Sequence, residues 1–466
     1  MYASKYNLRI GLNNGSKHIL INSLSGAVDI VDQKVLNVLD DIKKDGIAGP
    51  EYAELMNNLA KRKYIYDSVE KENEVVTQMN NRLQSEMASA PENFIISTTY
   101  TCNMKCKYCF QSSLPPDQPA VIDAPKIDKA FAFMSAIHKE RGSKSNPLLT
   151  IYGGEPLQKG KAYKDAVERI LNKARDNNYS VIVITNGANL TEYAEDFLGR
   201  YNNIKELHVT LDGSEHFQNN RRPLKDGSES FPKVVKGIDT ALDRAIPVNL
   251  RFVADGDNVD ALPGLVDFMF EKGWADMPHF KPHMGRICCG CPGEYTHNIM
   301  TTDQLVTKLL EFYKQSDRVK QIIPTRCMGL DQLCATGKPY PPVFAACPGA
   351  KMEYALDAYG NVYPCSASMG KEDFKIGTYY PNIEFNDKLN KWRGRSIFNS
   401  KECSGCSMSL YCGGGCPIEA SLEKGSFEKS SCRPVMPTLR VGVEYFLPKL
   451  KEIAEKNSKS DEKDCC

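Results

Sequence analysis

The chain has 466 residues, 59 basic and 58 acidic side chains, a formal net charge of +1, and 41% hydrophobic and 25% charged residues. That length predicts two to four domains, and the balance, with 33 Gly and 26 Pro, excludes collagen, global disorder and a supercharged nucleic-acid binder. No run of 18 apolar residues occurs, and residues 1–15 lack a secretory apolar stretch, so the expectation is a soluble, cytoplasmic protein with no membrane partner. The 17 Cys are clustered, which in a cytosolic setting points to metal rather than to a disulfide scaffold.

In chain order, residues 8–41 read as a strand, a turn at Asn13-Asn14-Gly15, a strand at 18–22, a turn at Gly26, a strand at 28–31 and a helix. A second helix over 50–61 and a short returning strand at 64–66 complete a winged-helix-like module over residues 1–69. Its exposed strand edge is a candidate acceptor for an added peptide strand, and a simple cap on the next domain is the plainer reading. A polar helical connector covers 70–92.

Residues 93–300 alternate. Strand-like runs at 94–98, 148–152, 181–184, 207–211, 248–252 and 278–280 are separated by helical periodicity at 126–140, 161–175, 191–200, 231–244 and 260–271. Six βα units predict an α/β fold, a parallel sheet forming a partial (β/α)6 barrel, with functional loops at the C-terminal strand ends. Beyond residue 285 the alternation fades into a bridging region, 301–346, with one helix near 302–315. A Cys-rich region over 347–440 follows, then a C-terminal helix and tail over 441–466, with residues from 455 onward expected to be mobile. Loops with so little apolar periodicity draw their stability from metal coordination.

The most specific feature is Cys102-Asn103-Met104-Lys105-Cys106-Lys107-Tyr108-Cys109, a CxxxCxxC run after the first barrel strand. Three thiolates at this spacing suit one side of an iron–sulfur cluster with an open iron. Zinc would need a fourth protein ligand for a closed site. Gly153-Gly154-Glu155-Pro156 follows the second strand, Thr185-Asn186-Gly187 the third and Leu211-Asp212-Gly213 the fourth. Together these resemble the radical S-adenosylmethionine (radical SAM) superfamily. The resemblance implies a [4Fe–4S] cluster on Cys102, Cys106 and Cys109 whose open iron chelates SAM. It further implies a SAM site using Gly153, Gly154, Glu155, Pro156, Thr185, Asn186, Asp212 and Arg251, and hydrogen abstraction by a 5′-deoxyadenosyl radical.

The later cysteines, Cys347, Cys365 and then Cys403-x2-Cys406-x5-Cys412-x3-Cys416-x15-Cys432, resemble the SPASM extension of that superfamily. The resemblance implies two auxiliary [4Fe–4S] clusters, three clusters in all. The outer would sit on Cys403, Cys406, Cys412 and Cys432, and the inner on Cys347, Cys365 and Cys416 with Cys327 or Cys334 as a candidate fourth ligand. Cys288, Cys289 and Cys291 fit no part of that pattern.

The N-terminal segment from Ile19 to Asp29 is similar to the leader-recognition start of radical SAM/SPASM maturases of ribosomally made peptides. The implied activity is thioether formation between a Cys sulfur and a carbon of a precursor peptide, as in sactipeptide or ranthipeptide synthases. Carbon–carbon or carbon–oxygen crosslinking, anaerobic sulfatase maturation and a noncatalytic iron–sulfur scaffold are the alternatives. The implied partners are the precursor peptide with its leader and a flavodoxin- or ferredoxin-like reductant, without nucleic acid. Asp212 and Arg251 are candidate bases or SAM contacts. His208 reads as a packed histidine, and Arg221-Arg222, Lys105, Lys107, Lys281 and Arg286 read as solvated surface, an acidic leader or a reductant being their functional alternative.

Overall fold

The computed structural model describes residues 1–12, 15–46, 49–112, 114, 121–287 and 298–461, with side chains to residue 455. At the N-terminus it places β1 (Tyr2–Ala3), β2 (Asn7–Gly11), β3 (Lys17–Asn22), β4 (Val28–Asp32), α1 (Gln33–Asp45), α2 (Ala53–Lys61), β5 (Ile65–Tyr66) and the connector α3 (Val69–Ser89). Asp32 caps α1 by accepting from the Val35 amide, the role a short carboxylate plays at a helix start. The sheet runs β2-β3-β4, all antiparallel, while β1 pairs with β5. Central β3 is buried on both faces. Ile19 and Ile21 enter the main core, and Leu20 faces the cluster built from α1 and α2. Strand β4 is left as a sheet edge.

Five βα units and a sixth strand follow: β6 (Asn93–Ser97), α4 (Ala124–Arg141), β7 (Leu148–Tyr152), α5 (Lys161–Asp176), β8 (Ser180–Thr185), α6 (Leu190–Asp196), β9 (Ile204–Thr210), α7 (Glu215–Arg221), α8 (Phe231–Asp243), β10 (Val248–Ala254), α9 (Leu262–Glu271) and β11 (Phe280–Arg286). The strands pair in parallel and in sequence order. Right-handed crossovers in one direction put every helix on the same face. On that face Phe94, Leu149, Val181, Leu207 and Leu250 are fully buried. The residues alternating with them, Ile182, Glu206, His208, Asn249, Arg251 and His283, are half-buried and line the inner face.

Two differences from the sequence pattern have physical reasons. The last strand begins where the expected run ended and extends to Arg286, because Pro282 and Gly285 disguise it; proline is tolerated since β11 is an edge. Helix α7 was not expected because its seven residues, Glu-His-Phe-Gln-Asn-Asn-Arg, show no apolar period.

Beyond the barrel come α10 (Thr302–Gln315), α11 (Asp317–Ile322), α12 (Leu330–Thr336), β12 (Glu353–Leu356), β13 (Asn361–Tyr363), β14 (Gly377–Thr378), β15 (Glu384–Phe385), α13 (Lys388–Arg393), α14 (Lys401–Ser404), α15 (Ser409–Cys412), α16 (Pro417–Lys424) and α17 (Val435–Asp461). The short strands are unforeseen and consequential. Strand β12 pairs in parallel with β6, and β13 to β15 continue antiparallel, making one mixed ten-stranded sheet. Helix α17 starts earlier than expected and stays helical past residue 455, where a mobile tail was anticipated. Its Leu439, Val443 and Leu450 belong to the same apolar core as Leu8 and Ile10 of the N-terminal sheet. No helix among the described residues is long and apolar enough to cross a membrane.

One guanidinium ties three of these parts together. Arg141, at the end of α4, donates to buried Glu92 at 2.7 Å, to the Met87 carbonyl of α3 at 2.8 Å and to the Lys351 carbonyl before β12 at 2.6 Å. Replacing Arg141 by Met leaves the buried Glu92 carboxylate with His138, at 2.8 Å, as its remaining basic partner among the described residues. The expected cost is about 3 kcal/mol of unfolding free energy, read as a lower denaturant midpoint in urea.

Candidate active site

The CxxxCxxC loop leaves the C-terminal end of β6 and is fixed from two sides. Residues 221–225 hold its backbone: the Lys105 amide donates to the Pro223 carbonyl at 2.8 Å, Lys107 to Arg221 at 3.0 Å, and the Lys225 amide returns to Asn103 at 2.9 Å. The loop after β7 holds the other side, with the amides of Gly154 and Glu155 donating to the carbonyls of Thr99 and Thr101 at 2.8 and 2.9 Å. A side chain at Gly154 would place its Cβ 2.3 Å from the Thr101 oxygen, so glycine is required there for the two loops to touch.

Glu155 is 1% exposed and its carboxylate is taken up by the protein itself. It accepts from the Leu157 amide at 2.8 Å, the Thr185 hydroxyl at 2.6 Å and the Asn186 amide at 2.6 Å. Burial raises its pKa, opposed by those hydrogen bonds. Glu155 thus clips the loop after β7 to the loop after β8. Asn186 carries the clip onward, donating to Asn103 at 2.7 Å and lying 3.6 Å from the Cys102 sulfur.

Behind the cysteines lies a buried charged group. Asp212 is fully buried and accepts from the Tyr108 hydroxyl and from the Val253 amide at 3.0 Å. Arg221 pairs with Asp255 at 2.7 Å, and Arg222 donates to the Tyr108 hydroxyl at 2.6 Å. Both arginines, read from sequence as solvated surface, are buried, at 2% and 7% exposure. Their guanidiniums lie 5.2 and 5.9 Å from the centre of the Tyr108 ring, within cation–π range. Adjacent basic residues usually mark a wet face; here two aspartates hold Arg221 inside and a half-buried tyrosine holds Arg222.

Arg251 lies on the inner face against Gly285, whose missing side chain makes room for it: a Cβ there would sit 2.6 Å from the Arg251 Nε. It is joined by a polar chain in which Asn249 donates to Glu206 at 3.0 Å and accepts from His283 Nδ1, while His208 Nε2 donates to Glu206 at 3.0 Å. His208 therefore belongs to this polar wall and is not a packed core histidine. Burial, then the Arg251 charge, pushes His283 down to about 4, so it is a neutral imidazole. The lumen wall offers fixed hydrogen-bonding groups at mid-height.

The later cysteines fall into sets. Cys347 precedes β12 and Cys365 follows antiparallel β13, so both lie at the end of the sheet where β6 begins, opposite the CxxxCxxC loop. Cys347, Cys365 and Cys416 act on one another electrostatically, and Cys403 and Cys412 act on Cys432. Arg395 stands between the sets, feeling Cys347 and Cys416 as well as Cys403 and Cys412. Gly415, at φ +68°, would put a Cβ 1.9 Å from the Ser431 carbonyl, so the Gly413-Gly414-Gly415 run wraps a chain crossing. Cys327 is fully buried against Gly442 of α17, and Cys334 feels Asp331 and Lys449. Cys288, Cys289 and Cys291 lie outside the described residues. Arg286 is ion-paired with Glu419 of α16 and so links the free edge of the barrel to the Cys-rich region.

All described cysteines are free thiols, and no three His, Cys, Asp or Glu side chains among the described residues converge on a single ion. A cubane cluster does not require that, since its thiolates stand around a core larger than one ion. Burial pushes Cys102 and Cys365 up to about 12, so the polypeptide alone does not stabilise them as thiolates; a cationic iron core would. The donor set fits iron–sulfur groups.

Residues 96–269 match the family model described as Radical SAM superfamily. The radical SAM cyclopropyl synthase TigE of Paramaledivibacter caminithermalis is 21% identical over 431 residues, 85% of each chain. The serine-type anaerobic sulfatase-maturating enzyme of Bacteroides thetaiotaomicron is 30% identical over 166 residues, 34% of this chain and 38% of that one. Among solved structures, native anSMEcpe with bound AdoMet superposes with a TM-score of 0.58 at 17% identity, over 78% of this chain and all of the other. Streptococcus suis SuiB bound to the precursor peptide SuiA superposes with a TM-score of 0.53 at 17% identity, over 92% and 98%. These likenesses establish the fold, and the matched segment, residues 96–269, gives the chain a radical SAM catalytic domain.

Proposed function

We propose that this enzyme modifies a ribosomally made precursor peptide, gripping its leader along β4 while the core peptide enters the barrel lumen. The observation that carries this reading is a groove of about 1660 Å³ along the free edge of β4. Ile30 packs on the side of the main core and α17, and Val31 on the side of α1 and α2. The groove walls are Leu55 and Leu59 of α2 and Val443 and Leu447 of α17. An extended peptide added to such an edge gains backbone hydrogen bonds from β4, and its alternate side chains meet the two helices. Anchoring the leader there raises the local concentration of the core peptide at the lumen.

In this reading Cys102, Cys106 and Cys109 hold a [4Fe–4S] cluster that binds SAM. Cys347, Cys365 and Cys416 hold an inner auxiliary cluster, and Cys403, Cys406, Cys412 and Cys432 an outer one. When bound, SAM and the cluster supply a primary carbon radical that takes hydrogen from an unactivated C–H bond. The chain's own residues do the rest: Asn186, Glu155 and the paired glycines set the loops around the site, and the wall of Glu206, His208, Asn249, Arg251 and His283 orients the peptide. A flavodoxin- or ferredoxin-like protein is the proposed reductant. The favoured product is a thioether between a Cys sulfur and a peptide carbon. Carbon–carbon bond formation is the second reading, favoured by the likeness to a cyclopropyl synthase over 85% of both chains.

Three measurements test this. After anaerobic reconstitution, Cys106→Ala, Cys365→Ala and Cys406→Ala are each expected to lose about four irons per chain by colorimetric assay; full iron in Cys106→Ala removes the cluster assignment. Incubation with SAM, dithionite and the precursor peptide encoded beside this gene is expected to lower the peptide mass by two hydrogens. Loss of alkylatable Cys then gives the thioether, and retained Cys reactivity gives the carbon–carbon bond. A fluorescein-labelled leader peptide is expected to bind Leu447→Glu about tenfold more weakly than wild type by anisotropy; equal affinity moves the leader site away from the groove.

A further inference from the structure

The buried charges behind the cysteine loop balance in number, two guanidiniums against two aspartates, but they are not paired one to one. Arg221 has its own carboxylate in Asp255 at 2.7 Å, and Asp212 is engaged by Tyr108, Val253 and, at 3.6 Å, Arg221. Arg222 is 7% exposed, has no carboxylate at ion-pair distance among the described residues, and its buried Nε lacks any hydrogen-bond partner. Among the described residues its one directional contact is the Tyr108 hydroxyl, and Tyr108 lies with Lys107 between Cys106 and Cys109. The chain on either side of Arg222 is bonded to the same loop, the Lys107 amide donating to the Arg221 carbonyl and the Lys105 amide to the Pro223 carbonyl. A guanidinium taken out of water with an open N–H is costly unless an anion meets it.

We propose that Arg222 is the charge-compensating group of the cluster on Cys102, Cys106 and Cys109, and that it raises the reduction potential of that cluster. The inference rests on the cluster assignment made above. Reduction adds one electron, from an external low-potential donor, and makes or breaks no bond; the cluster unit becomes more negative by one charge. A fixed buried cation stabilises the more negative state, and a fixed buried anion opposes it. Asp212, which accepts from the same Tyr108 hydroxyl, therefore has the opposite sign of effect. Arg222 is a positioning and tuning residue in this account: it acts through the cluster and not on the peptide.

The test is a dithionite titration of the full reconstituted chain without SAM or peptide, followed by electron paramagnetic resonance. The relevant signal is the one missing in Cys106→Ala. In Arg222→Gln the ratio of reduced to oxidised cluster at a fixed potential is expected to fall about tenfold, a midpoint lower by about 59 mV for a one-electron couple. Arg222→Lys, which keeps the charge, is expected to stay near wild type, and Asp212→Asn to shift upward. Unchanged midpoints in Arg222→Gln and Asp212→Asn, or shifts of the same sign, overturn the proposal. Should Arg222→Gln fail to hold iron, an unshifted Asp212→Asn overturns it alone. If Cys106→Ala loses neither iron nor a signal, the cluster assignment fails, which is a separate outcome.

Discussion

Strand β6 has a neighbour on each side, β7 in the barrel and β12 in the Cys-rich region, both parallel to it. The placement of the other parts depends on that double pairing. A parallel strand satisfies its backbone only when both edges are covered, and here one edge is covered by the next βα unit and the other by a segment 260 positions further along the chain, as the Asn93 contact with Glu353 records. The loop that carries Cys102, Cys106 and Cys109 is thereby hung from the middle of a ten-stranded sheet and not from its rim. Loops at such a position inherit the stiffness of the sheet beneath them, which is what a multi-thiolate site needs.

The same pairing explains the rest of the architecture. With β12 as a continuation of the barrel sheet, the Cys-rich region lies beside the first barrel strand, and Arg286 with Glu419 ties it to the last one. The open side of the half-barrel is spanned from both edges. The N-terminal sheet and α17 then share a single apolar core with the barrel, so the groove beside β4 is held at a fixed place relative to the lumen. Arg141 does for the polar contacts what that core does for the apolar ones.

Legibility from sequence followed local chemistry. The CxxxCxxC run, the Gly153-Gly154 pair and five of the six barrel strands declare themselves because spacing and alternation are properties of neighbouring residues. Strand β11 is obscured by Pro282 and Gly285, and β12 to β15 are too short to show a period; they are strands because of what they pair with. Arg221 and Arg222 are the clearest case of a signal that reads backwards. Side by side they suggest water, and only the fold brings Tyr108, Asp212 and Asp255 around them. The need for glycine at Gly415 comes from Ser431, a chain crossing that the spacing Cys412-x3-Cys416 does not reveal.

The two ends of β6 carry different cysteines. Its C-terminal end leads to Cys102, while Cys347 and Cys365 lie by its start, and five residues of strand span about 16 Å. On the proposed cluster assignment, a molecule held in the lumen between them would stand between two separate redox terminals. Charge released by chemistry at one mouth would then have a second acceptor at the other, with the strand's length setting the gap. The barrel is in that sense a spacer as much as a container: shortening β6 would bring the terminals together and let them exchange directly, bypassing the occupant.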